Sequence, residues 1–132
     1  MSKKLNVITY HYVRDVEKSS FPDLKAQNIK TFKKQLNYFK NKYNILSPRN
    51  FLDVINGRMN LKKNSCLLTF DDGYIEHFKT VLPELKKRNI SAIFFAPAEA
   101  IIKRKVADVN KIQLILSVIR DKKKLLIEIE SF

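Results

Sequence analysis

Apolar and polar positions alternate between two periods along this chain. LNVITY, residues 5 to 10, is β-branched and aromatic, which predicts a first strand. Residues 13 to 27 mix charge with Pro22 and read as a loop. From Ile29 the apolar positions fall at Phe32, Leu36, Phe39 and Tyr43, the spacing of one helical face. A short strand over residues 44 to 46 follows. SPRNFLDVING then spells a helix with its punctuation: Ser47 as N-cap, Pro48 in the first turn, Gly57 just past the end. A polar connection over residues 58 to 64 leads into a buried strand over 66 to 70. Beyond Gly73, residues Ile75, Phe78, Leu82 and Leu85 predict one apolar helical face, with Pro83 kinking that helix or starting a new one. ISAIFFAP predicts another strand, about 91 to 96, closed by Pro97. From about Val109 to Phe132 the pattern reads as two helices broken near Asp121, which caps the second.

Strand followed by helix, repeated, predicts an α/β fold with a parallel sheet and right-handed crossovers. The 132 residues fit a single domain without repeats, linkers or low-complexity tracts. Four strands do not close a barrel, and the apolar pattern LLIEIESF runs to the last residue. The sheet is therefore expected to be incomplete, with an open edge through which the chain self-associates.

Composition narrows the function classes. The chain has 26 basic against 13 acidic residues, a net charge of +13. Such a charge attracts nucleic acid and anionic surfaces without specificity. The lysines are scattered, and no arginine-rich arm or RNA-type aromatic motif accompanies them, so most of the charge reads as solvated surface and no specific nucleic-acid partner is expected. Cys66 is the only cysteine, which excludes an internal disulfide and suits a reducing compartment. It reads as a buried strand residue, since no base is visibly paired with it. The apolar stretch near the start is interrupted by Asn6, Thr9 and His11, unlike a signal peptide, and no apolar run is long enough to span a bilayer. The expected location is the cytoplasm.

The candidate chemistry lies in SCLLTFDDGYIEHF, residues 65 to 78, where Asp71 and Asp72 end an apolar run and Gly73 follows. Ligands of parallel α/β proteins bind where strands end and loops begin. Gly73 permits a sharp turn there, which would bring both carboxylates to one cleft. Adjacent carboxylates suppress each other's ionisation unless a cation or hydrogen bonds divide their roles. One solution places one carboxylate on a metal and uses the other as a base. The competing reading is plain turn chemistry, with Asp72 capping the next helix and Asp71 turned outward.

The longer stretch LLTFDDGYIEHFKTVLPELKKRNISAIFFAP strongly resembles the first motif region of the polysaccharide deacetylases (NodB-homology, carbohydrate esterase family 4). VITYHYV looks like the Tyr-His-x-Val first strand of many members, so the resemblance covers residues 5 to 97, and VADVNKIQLIL is similar to an inserted segment of some. The resemblance implies a distorted (β/α) barrel, of which this chain is the N-terminal portion, and a bacterial origin. It implies metal-dependent removal of acetyl groups from amino sugars, with a carbohydrate substrate and a divalent metal, zinc above all. Carried over by position, Asp71 is the catalytic base and Asp72 the metal-binding aspartate. His11 and Tyr74 fall at the mouth of the active site.

The chain departs from that family's pattern downstream. A histidine pair four residues apart, an arginine-proline motif and a late leucine-x-histidine are all missing. The only histidine after Asp72 is His77, which reads as a polar residue packed near the start of its helix. Two explanations stay open: this is the first part of a longer deacetylase, or a shortened homologue without activity. A reading of another class also stands, a non-catalytic basic module gripping glycan or nucleic acid by charge.

Overall fold

The computed structural model describes residues 3–17 and 19–131. Strands β1 (Leu5–Tyr10), β2 (Asn44–Ile45), β3 (Ser65–Asp71) and β4 (Ile93–Phe95) form one parallel sheet. Helices α1 (Ile29–Lys42) and α2 (Pro48–Ile55) fall before β3, and α3 (Leu82–Arg88) before β4. Three more helices follow: α4 (Ala98–Lys103), α5 (Asp108–Val118) and α6 (Lys122–Glu130). β1 pairs with β3 over its whole length, Leu5 opposite Ser65 through Tyr10 opposite Phe70. A strand has only two hydrogen-bonding edges, so β2 and β4 share the other one. β2 pairs at Ser65 and Cys66, and β4 at Thr69 to Asp71. The sheet is α/β and open, as the alternation of strand and helix predicts, and β3 is its spine.

Alternation along β3 gives the sheet two unlike faces. Cys66, Leu68 and Phe70 point to the helices with Ile8 and Tyr10, and pack with Phe32 and Leu36 of α1 and with Val81 and Leu85. Phe70 stacks on Tyr10 and on Phe94, with ring centroids 5.2 and 5.0 Å apart. The opposite face carries Val7, Thr9, Leu67, Thr69, Ile93 and Phe95, which line a shallow open groove with Phe51 and Asp71. Across it Thr69 donates a hydrogen bond to Thr9 at 2.9 Å, as their register allows.

Local signals fix the elements. Asn28 caps α1 by accepting from the backbone of Lys30 and Thr31. Ser47 caps α2 through Asn50, and Gly57 follows with φ +71°. Asp121 caps α6 through Lys123 and Lys124, where the sequence places that break. Phe132 lies outside the described residues. α4 has no counterpart in the hydrophobic pattern, and β4 is shorter than the strand expected there.

One expectation is overturned. Ile75 and Phe78 are exposed, and the buried side of this segment is His77, Val81 and Leu85. The cause is a π-helical turn over His77–Val81, closed by the Leu82 N–H on the carbonyl of His77, five residues back. That wider turn absorbs an extra residue, so a spacing of four stays on one side. Pro83 then sits in the first turn of α3, which continues directly from the π turn.

Candidate functional site

Asp71 is the last residue of β3 and keeps the strand's alternation, so it lines the open groove with Thr69 and Leu67. Its Oδ1 is buried without a hydrogen-bond partner among the described residues. A carboxylate oxygen in that state retains its lone pairs for an incoming donor, such as a water or an ammonium group.

The chain then turns through two left-handed residues, Asp72 at φ +76° and Gly73 at φ +62°. The turn therefore begins one residue earlier than Gly73 alone would place it. Aspartate is among the few residues that enter this region, at a cost of about 1–2 kcal/mol. Contacts offset that cost. Asp72 Oδ2 accepts a 2.6 Å hydrogen bond from the Tyr74 hydroxyl, in the range of charge-assisted bonds, and lies 3.2 Å from His11 Nδ1. Since a carboxylate only accepts, Nδ1 of His11 carries the proton, on a side chain that is exposed. Burial first, and the Asp72 carboxylate after it, push the Tyr74 phenol far above its ordinary range, so it stays a donor.

Residues to which the sequence assigns no site role hold this arrangement. Tyr12, just past β1, stacks on Tyr74 with centroids 4.0 Å apart. Arg14 lies over the Tyr12 ring at 4.8 Å and grips Glu76 with two hydrogen bonds of 2.6 and 2.8 Å. Asn110 of α5 donates to the hydroxyls of Tyr74 and Tyr12. His77 is buried against Phe70 and Tyr74, and its Nε2 donates to the His11 carbonyl at 2.8 Å. It is thus a packing residue near its helix start, as the sequence suggests, and it fastens the backbone of His11 while Asp72 fastens the ring.

The structure brings Asp72, His11 and Tyr74 together through hydrogen bonds, whereas the Asp71 side chain lines the open groove, which none of those three lines. For a metal the set is short. Asp72 and His11 offer two donors, whereas functional zinc sites usually have three protein ligands. Among the described residues no group of three His, Cys, Asp or Glu side chains is placed to hold an ion. The residues present do not complete a metal centre. Among the described residues no helix is long and apolar enough to cross a membrane.

Comparison with known proteins bears on family and fold. Residues 58–118 match the family model for polysaccharide deacetylase. The chain is similar to the solved structure of IcaB from Ammonifex degensii, with 30% identity and a TM-score of 0.66 over 76% of this chain and 41% of that one. It is also similar to a de-N-acetylase from Aggregatibacter actinomycetemcomitans, with 32% identity and a TM-score of 0.58 over 68% of this chain and 36% of the other. Streptococcus pyogenes deacetylase PplD, solved with acetate, shares the fold at 24% identity and a TM-score of 0.64, over 81% of this chain and 48% of its own. The chain spans less than half the length of each. No curated protein matches it.

Proposed function

We propose that this chain, which carries polysaccharide deacetylase sequence over residues 58–118, supplies the first part of a carbohydrate deacetylase site acting on amino sugars. The observation that carries the reading is the Asp71–Asp72 pair at the C-terminal end of a parallel strand. One carboxylate oxygen is buried and free of partners among the described residues, and the other carboxylate is fastened by Tyr74 and His11. In this reading Asp71 is the general base. It takes a proton from a water as the water oxygen bonds to the acetyl carbon. The carbon–nitrogen bond then breaks, acetate leaves, and the amine gains a proton. Asp72 is one donor to a divalent metal, zinc by family resemblance, whose other ligands are not among these residues. His11 and Tyr74 orient Asp72 at the mouth of the site. Cys66, buried and outside any disulfide, suits a cytoplasmic setting for the protein.

The test is acetate release from an N-acetylated amino-sugar oligosaccharide with zinc, cobalt or nickel added. Residues 1 to 132 alone are expected to be nearly inactive, because they provide too few ligands and no general acid. A longer protein carrying them is expected to turn over. Robust turnover by the 132 residues would overturn this division of the site, and inactivity of every longer form would overturn the enzymatic reading.

A further inference from the structure

The network around Asp72 reaches one residue farther than the chemistry above uses. On α5 the fully buried residues are Asn110 and Ser117, with Leu114 half-buried between them, while Val109, Ile112, Ile115 and Val118 face outward. Asn110 Nδ2 lies 2.7 Å from the Tyr74 hydroxyl oxygen and 3.2 Å from that of Tyr12. An amide nitrogen carries two protons and accepts none, so it can donate to both oxygens at once. A Tyr74 oxygen that accepts a hydrogen bond from Asn110 directs its own proton toward Asp72 Oδ2, 2.6 Å away. Asn110 therefore sets the direction of the Tyr74 hydrogen bond as well as the place of the ring.

We propose that Asn110 is a positioning residue for Asp72. Acting through Tyr74, it holds Oδ2 of the carboxylate and leaves Oδ1, which takes no hydrogen bond among the described residues, as the working oxygen. The proposal rests on the reading of Asp72 as a functional carboxylate of the deacetylase site. It also accounts for the buried amide on α5, which completes the strand-end network 98 residues along the chain from Tyr12. Fastening partners of this kind typically change affinity or rate by about 10–100-fold when removed.

Asn110→Asp tests it, because a nearly isosteric acceptor replaces the donor and offers Tyr74 a second carboxylate. The Asp72 carboxyl carbon resonance is recorded at one near-neutral pH in the 132-residue chain, beside the thermal midpoint. The expected result is a displaced Asp72 signal in Asn110→Asp and in Tyr74→Phe, with no further displacement when the two are combined. In a turning-over form, kcat falls by about tenfold or more while KM holds. An unmoved Asp72 signal in a folded Asn110→Asp chain overturns the proposal. If that variant does not fold, Asn110→Leu decides: displacement as in Tyr74→Phe supports the relay, and no displacement overturns it. The resonance needs no turnover, so inactivity of the unsubstituted protein would sink the proposed function alone and leave the relay to be decided by the signal.

Discussion

At Gly73 the backbone holds φ +62°, and a Cβ there would come within 3.1 Å of Ala96 Cβ and 3.4 Å of Ala96 Cα. Both the conformation and the space resist a side chain. Gly73→Ala is expected to lower stability by about 1–3 kcal/mol, read as an earlier urea midpoint. Alkaline stability follows from two core groups. Burial, with Cys66 adding to it, pushes Tyr10 from 10.0 up to about 12, and burial pushes the Cys66 thiol from 9.0 up to about 11. Both groups keep their protons in the fold after the unfolded chain has begun to lose them. Their contribution is fully present below about pH 9 and is lost as pH rises through about 11 and 12. A urea midpoint that holds to about pH 9 and then falls is expected, with Cys66→Ala removing the early part of the fall. The Asp-Asp-Gly turn was legible from the sequence because a sheet strand, a paired carboxylate and a glycine stand in one short run. Asn110 was not, since its partners lie 36 and 98 residues away and only the folded chain brings them together.

Among the elements, capping residues and helical spacing located α1, α2 and α6 well, since those signals act over a single turn. The segment after Gly73 resisted because a π turn has the same composition as an α turn and shifts the buried side without notice. Phe78→Ala tests the register, with a core residue of α1 as the reference. Phe32→Ala, in a side chain with no exposure, should cost about 3–5 kcal/mol, whereas Phe78→Ala, 70% exposed, should stay within about 0.5 kcal/mol. Denaturant titration of the two variants checks this. A large loss at Phe78 would restore the uninterrupted α-helical pattern that the spacing of Ile75, Phe78, Leu82 and Leu85 suggests.

For the whole molecule, the strand alternation that builds a helix-covered core also leaves Val7, Phe95 and their neighbours on an open face. Concentration-dependent association is expected in sedimentation experiments, strengthened by salt that screens the +13 charge. A monomer at every concentration and salt would argue against it. The architecture was legible as alternating periods; the sharing of one β3 edge by two strands was not, because register is a property of pairing rather than of either strand. The central claim is that Asp71 and Asp72 divide the work of deacetylation. It is tested most directly by comparing metal affinity and acetate release for Asp71→Asn and Asp72→Ala in a turning-over form of the protein. The account predicts that Asp71→Asn abolishes release while metal affinity is kept, and that Asp72→Ala lowers both. Unchanged release in Asp71→Asn, or unchanged metal affinity in Asp72→Ala, would contradict it.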